Sequence, residues 1–411
     1  MNTKHLLHQW LWKWHFIAGL VSLPIIILLS ITGIVYLFKS DYEKPMYDSL
    51  KEVPAEPHLV SYQEQWEIAK KNAIKPPNAM IITADQNKAT EFISGRFSGK
   101  SSLFISPVDG SVNGEVVTKN TDMYLIRKLH GELLLSKYGT KVVELVASWM
   151  VVLILTGLYI WWPKDGWKLK GVFTIRTDGS KRLLYRDIHA VTGFWFSILL
   201  LLVLAGGLPW TDVFGSNFKW VQDQTNTGFP KTWDGRAFTS EIKGEPLTLD
   251  QMAMIARELD LPGEISLHLP LSPKAVFSVS NRTSELSSMR KLHFDQYSGK
   301  PVAKLAWSDI GIMMQGRLWV MAFHQGEFGP WNWYLMLVVA FMLLVMSISG
   351  LYTYLLRKRK GEWSVPVVPA QFSVGVGLFI IIIALGIMLP LFALSVALIF
   401  AYEQSKLILS S

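Results

Sequence analysis

The chain has no cysteine among its 411 residues. That excludes disulfides, thiolate-held iron–sulfur clusters, Cys-ligated haem and the covalent attachment of a c-type haem. It leaves the compartment open. Three familiar signatures are missing too: no Walker A sequence, no GxGxxG ahead of a helix and no HExxH. No recognisable motif would hold ATP, a nicotinamide or a catalytic zinc. Charge is scarce at 18% of residues, against 50% hydrophobic residues and 17 Trp. A soluble domain of this size would be less apolar.

What is present is a set of long apolar runs. Five are long enough to span a bilayer: 14–38, 142–162, 189–210, 333–356 and 372–401. Trp12, Trp14, Trp161, Trp162, Trp331 and Trp333 lie at their ends, as an aromatic belt should. The first run is too long for the apolar region of a signal peptide, and no small-x-small cleavage site follows Leu37 to Asp41. It is expected to be retained.

The net charge of +8 is no nucleic-acid signal here. Lys164, Lys168, Lys170, Arg176, Lys181, Arg182 and Arg186 crowd the connector between the second and third spans, and Arg357 to Lys360 follow the fourth. Short basic connectors stay cytoplasmic. This places the N-terminus inside and both long inserts and the C-terminus outside. Contact of the basic face with anionic membrane lipid fits the same pattern.

The expected boundaries are 1–39 for the tail and first span, 40–125 for the first insert, and 126–162 for an interfacial segment and second span. They continue with 163–188 for the connector, 189–210 for the third span and 211–315 for the second insert. The last are 316–357 for an interfacial segment and fourth span, 358–371 for a linker with Pro366 and Pro369, and 372–411 for the fifth span and tail. Each insert has a helix-like stretch (62–70, 249–256) followed by alternating, strand-like sequence. An aspartate and a glycine then close a hairpin, Asp109-Gly110 in one and Asp295 to Gly299 in the other. Two small α+β domains are expected on the outer face. Gly139 and Gly329-Pro330 offer breaks ahead of the second and fourth spans. Pro390 is expected to kink the fifth span.

Four histidines repeat with this architecture. His15 precedes Gly33 by 18 residues and His189 precedes Gly207 by 18; His130 precedes Gly157 by 27 and His324 precedes Gly350 by 26. Each half crosses the membrane twice, so the halves enter with one orientation. A pseudo-two-fold axis along the membrane normal then relates them. It pairs His15 with His189 near the inner side and His130 with His324 near the outer side. One histidine from each of two facing helices is how a helical bundle holds a haem. A lone interfacial histidine can also simply snorkel, but ionisable groups in spans are costly and usually functional. His5, His8, His58, His268 and His293 have no matched counterpart and read as surface or domain residues.

The segment Trp14-His15-Phe16-Ile17-Ala18-Gly19-Leu20 leading to Thr32-Gly33 resembles the first helix of PepSY-associated transmembrane proteins. So does Leu129-His130-Gly131-Glu132 ending in Thr156-Gly157-Leu158-Tyr159. Arg186-Asp187-Ile188-His189 with Gly193, and Phe323-His324-Gln325-Gly326 with Ser349-Gly350, resemble the third and fourth helices. The inserts look like PepSY domains. The likeness covers residues 5–360. Gly206 and Ser349 stand where threonine is usual, positions expected not to touch a ligand. The family includes iron-regulated inner-membrane proteins and haem-containing reductases of ferric siderophores.

The resemblance implies an α-helical membrane bundle of five spans, with an internal parallel two-fold repeat and two external PepSY-like domains, in a bacterial inner membrane. Two b-type haems would be held by His15 with His189 and by His130 with His324. Arg186 and Arg127, three residues before His189 and His130, could meet propionates; topology-setting charge is the other reading. Electrons from a cytoplasmic reductase or quinol would enter near the inner pair and leave near the outer one, toward a ferric siderophore. Two rivals stand beside this: a non-enzymatic anchor that binds an envelope protein, and a permease, which the scarcity of mid-membrane polar residues disfavours.

Overall fold

In a computed structural model the chain is described over residues 3–410, apart from 55, 58, 59, 84, 86, 164–168 and 369–371. His58, Lys164, Lys168 and Pro369 therefore lie outside the described residues. The first half runs α1 (Thr3–Leu37), α2 (Lys39–Lys51), α3 (Tyr62–Asn72), β1 (Ala79–Ile82), β2 (Thr90–Ser94), β3 (Ser101–Ile105), β4 (Val112–Val117), α4 (Asp122–Glu132) and α5 (Ser136–Trp161). The second runs α6 (Lys181–Gly207), α7 (Val213–Thr225), α8 (Leu249–Glu258), β5 (Glu264–His268), β6 (Val276–Arg282), β7 (Arg290–Asp295), β8 (Pro301–Ala306), α9 (Ile312–Gln325) and α10 (Pro330–Leu355). The α and β elements of the two halves follow the same order. α11 (Val376–Met388) and α12 (Pro390–Ser410) come after both.

The chain forms two compact units. One holds residues 1–37, 127–220 and 320–411; the other holds 38–126 and 221–319. Among the described residues, four helical segments are long and apolar enough to cross a membrane: His5–Lys51, Ser136–Trp161, Lys181–Trp210 and Pro330–Leu355. A helix meets all its interior backbone hydrogen bonds itself, which is what an apolar surrounding demands. α1 packs on α5 and α10, and α6 packs on the same two helices. Ile26, Val146, Met150 and Leu204 share one core cluster, and Leu200, Phe323, Met336 and Val339 share another. Glu144 interrupts the apolar pattern of α5, yet it is fully buried. Its carboxylate accepts from Val213 N and Phe214 N at 2.8 and 2.9 Å and so caps the start of α7.

Two breaks differ from expectation. α4 ends before Gly139, at Leu133, Leu134 and Ser136, which all take positive φ. Gly139 lies inside α5, where a Cβ would stand 1.7 Å from Glu132 O. It permits a close backbone approach and does not itself break the helix. The expected single span over 372–401 is two helices. Pro390 has no N–H to continue α11, and Leu389 leaves the helical region at φ −122°, ψ 82°. A Cβ on Gly386 would be 3.1 Å from Ala393 Cβ. Seven residues of straight helix would separate them by about 10 Å, so the chain turns back sharply there. α11 alone has 13 residues, short of the roughly 20 a span requires.

In the second unit the inserts join. β1 pairs antiparallel with β5, from Ala79–His268 to Ile82–Ile265, giving one eight-stranded sheet in the order β4-β3-β2-β1-β5-β6-β7-β8. Where two small domains were expected, the inserts form two similar halves of one sheet in one compact unit. Met80, Phe92, Leu267 and Val279 point to a shared core beneath α3 and α8, each such side chain contributing about 1.5–3 kcal/mol. The helices begin with capping boxes, Ser61 with Glu64 and Thr248 with Gln251. They also cap each other. Asp250 accepts from Tyr62 N and Gln63 N at 2.8 and 3.1 Å, and Gln63 Oε1 accepts from Leu249 N at 3.2 Å. Both hairpins stand where expected, with Gly110 at φ +75° and Gly299 at φ +65°.

Candidate functional site

The first unit brings the four histidines together in two pairs. The rings of His15 and His189 are 6.3 Å apart, centre to centre, and those of His130 and His324 are 6.2 Å apart. His15 and His189 stand on α1 and α6. His130 and His324 stand on the short helices α4 and α9, as the sequence suggested.

Every one of the four has its Nδ1 engaged. Thr156 Oγ1 lies 2.9 Å from His15 Nδ1, and Thr32 Oγ1 lies 3.0 Å from His130 Nδ1. Each hydroxyl donates back to its own helix, Thr156 to Val152 O and Thr32 to Leu28 O, both at 2.7 Å. The threonine oxygen is therefore the acceptor and Nδ1 carries the proton. His189 and His324 use backbone carbonyls instead, Met346 O and Val203 O, each at 2.9 Å. A carbonyl can only accept, so these imidazoles too are Nδ1–H tautomers. That tautomer leaves a lone pair on each Nε2, as in a metal-ligating histidine fixed by a second partner.

Each ring also rests on a glycine of a neighbouring helix. A Cβ on Gly157 would stand 3.1 Å from His15 Cε1, on Gly33 3.4 Å from His130 Cε1, and on Gly350 3.0 Å from His189 Nδ1. On Gly206 it would meet His324 Cβ at 2.6 Å and Val320 O at 2.6 Å. His15 and Gly33 lie 18 residues apart on α1, so the helix carries His15 at one end and the seat for His130 at the other. Gly206 touches a candidate ligand, contrary to expectation: α9 approaches so closely that a threonine side chain has no room. Ser349 donates to Met346 O at 3.0 Å, the same carbonyl that accepts from His189.

The two arginines singled out from the sequence behave differently from the histidines. Arg186 donates to Asp187 Oδ1 at 3.0 Å. Arg176 grips that buried carboxylate through Nε and Nη2 at 2.7 and 2.8 Å. Arg127 lies exposed on α4. Of the other histidines, His5 bonds Gln9 at 3.0 Å. His268 and His293 lie in the sheet, His293 fully buried with Nδ1 2.7 Å from Ser278 Oγ. Burial, then the Lys291 charge, pushes His268 down to about 4 and lowers His293 as well.

Two imidazoles trans to each other on one metal, with bonds of about 2 Å, have ring centres roughly 6 Å apart. Both pairs meet that spacing. Among the described residues no group of three or more His, Asp or Glu side chains is placed to hold a metal ion. Two protein ligands are too few for a bare structural ion and are the number a tetrapyrrole iron takes. A donor set of two facing imidazoles is compatible with such a cofactor.

No curated protein matches the chain. The family described as PepSY-associated TM region matches residues 12–357, with a second match over 241–398. The first match spans both histidine pairs and both inserts, and the chain belongs to that family.

Proposed function

We propose that this is a di-haem b membrane protein that reduces iron(III), bound by a siderophore, on the outer side of a bacterial inner membrane. The reading is carried by one observation: two histidine pairs at metal-sharing distance, with all four Nδ1 atoms engaged and a lone pair left on each Nε2. His15 with His189 would hold one haem and His130 with His324 the other. Bis-imidazole haem supplies one-electron transfer and offers no open position for oxygen. The chain's own residues fix the rest. Thr156, Thr32, Met346 O and Val203 O lock ring orientation and tautomer, and acceptance of the Nδ1 proton makes Nε2 more basic. Gly33, Gly157, Gly206 and Gly350 let the helices approach closely enough for the rings to face each other.

Several features support the orientation and substrate. Lys170 and Arg176 lie between α5 and α6, Lys181, Arg182 and Arg186 in the first turns of α6, and Arg357 to Lys360 follow α10; such short basic connectors favour the cytoplasm. The sheet unit, formed from the two inserts, would then stand outside. Iron(II) is softer than iron(III) and binds hard oxygen donors less tightly, so reduction releases it from an oxygen-rich chelate. Electrons would come from a cytoplasmic reductase or from quinol.

The test uses purified full-length protein in proteoliposomes. It should show a Soret band and a haem b pyridine haemochrome. After reduction it should be reoxidised by an external ferric siderophore, with iron(II) appearing in step. Haem that ignores every ferric chelate but yields electrons to another acceptor would retain electron transfer and remove the siderophore. Absence of haem would leave the membrane-anchor reading, in which the sheet unit binds an envelope protein.

A further inference from the structure

The inner histidine pair has a cationic neighbour that the site just described does not use. Trp12, His15 and Phe16 lie on one face of α1, at i, i+3 and i+4. The Arg357 guanidinium sits over two of them, 5.1 Å from the Trp12 ring centre and 4.8 Å from that of Phe16. Tyr354 meets Phe16 at 5.3 Å. On α10 and its end, Gly350, Tyr354 and Arg357 follow at i, i+4 and i+7, and Gly350 is the seat of His189. One face of α1 therefore carries His15 beside the two rings under Arg357, and one face of α10 carries the seat of His189 together with Tyr354 and Arg357, a turn or two apart.

The couple lacks counter-groups. Arg357 Nη2 and Tyr354 Oη are buried with no hydrogen-bond partner among the described residues. Tyr354 is only 8% exposed. No carboxylate lies within ion-pair distance of Arg357 among the described residues. A second cation is close: burial, and after it the Arg182 charge, lowers the Arg357 guanidinium from its ordinary range. Arg182 stands seven residues before His189, on the same face of α6. A guanidinium nitrogen buried near another cation is costly unless an anion shares the site. Aromatic faces satisfy its plane but leave its N–H edge unanswered. The ligand that fits is a small oxyanion that accepts from Arg357 Nη2 and Tyr354 Oη together.

We propose that Arg357 and Tyr354, with Arg182 at the rim, bind a propionate carboxylate of the tetrapyrrole held by His15 and His189. This rests on the haem reading above and replaces Arg186, which is committed to Asp187. A phospholipid phosphate is the same chemistry from another source. The shared helix faces favour the propionate, because they aim the couple at the histidine pair.

The experiment strips the full-length protein of haem in detergent and reconstitutes it with haem b or with haem dimethyl ester, whose propionates are neutral. Wild type should prefer haem b at the inner pair by about tenfold, the order of one charge-assisted contact. Arg357→Gln should erase most of that preference. Tyr354→Phe, which keeps the ring packing, should erase part of it. Arg357→Gln should also disfavour the reduced inner haem by about tenfold, a shift of about −59 mV for one electron. Normal haem content with unchanged preference and potential in both variants would overturn the proposal alone. The same result with bound phospholipid phosphorus lost from Arg357→Gln would assign the couple to a lipid, again overturning it. No haem in wild type would overturn the haem reading and this one with it.

Discussion

The two halves of the chain solve one problem in two ways. In the first half, His15 and His130 give their Nδ1 protons to threonine side chains. In the second, His189 and His324 give theirs to backbone carbonyls. Each pair therefore joins one histidine held by a replaceable side chain to one held by the main chain. The carbonyl solution removes the need for threonine. Ser349 keeps a hydroxyl there for its own helix, and Gly206 gives up the side chain so that α9 can approach. What is common to both halves is the physical requirement, an acceptor for Nδ1–H and a glycine under the ring, and not the residue type that meets it.

The glycine seats give the largest expected effects short of removing a ligand. Gly206→Val pushes branched atoms into His324 Cβ and Val320 O, already at 2.6 Å for a bare Cβ. It should lose the outer haem and destabilise the bundle by about 1–3 kcal/mol. Gly33→Ala, at 3.4 Å, should keep most of it. Haem content and thermal unfolding of the two variants check the order. Equal loss in both would mean the seats are equivalent.

Next come the threonines. Thr32→Val and Thr156→Val keep the shape and remove the acceptor, so each should weaken its own haem by about 10–100-fold. Ligand competition on each variant would measure this. The second-half counterpart, Ser349→Ala, should change haem retention less than twofold, because Met346 O still accepts from His189. A large effect of Ser349→Ala would break the distinction between the halves.

The sheet unit offers a smaller version of the same contrast. Asp250 takes two N–H groups from α3, while Gln63 takes one from α8. Asp250→Ala should cost about 1–2 kcal/mol and Gln63→Ala about half of that. Denaturant unfolding of the sheet unit, followed in the full-length protein, tests the ranking.

Much of this was legible in the sequence, for reasons that can be named. Long apolar runs located the four helical segments that, among the described residues, are long and apolar enough to cross a membrane, since length and hydropathy are local properties. The histidine spacing, read as an expected parallel repeat, matched His15 with His189 and His130 with His324, the same rings that lie 6.3 and 6.2 Å apart. The glycine seats could not be read from the spacing: Gly33 follows His15 on the same helix, whereas the packing of α1 against α5 seats His15 on Gly157. The joining of the inserts through β1 and β5 was invisible, as neither strand carries a mark of its partner. Arg357 was seen only as topology-setting charge. Its place over Trp12 and Phe16 depends on where α10 ends against α1, which no local pattern records. The turn at Leu389 was anticipated as a kink at Pro390, but its sharpness needed Gly386 and Ala393 in contact.

The pairing is the central claim, and haem stoichiometry in double variants tests it most directly. Wild type should carry two haems per chain by pyridine haemochrome. His15→Ala and His189→Ala should each carry one, and the two combined should still carry one, since both imidazoles serve the same iron. His15→Ala combined with His130→Ala should carry none. If the first double variant is empty and the second retains one haem, the histidines pair along the chain and not across the halves, and the arrangement described above is contradicted.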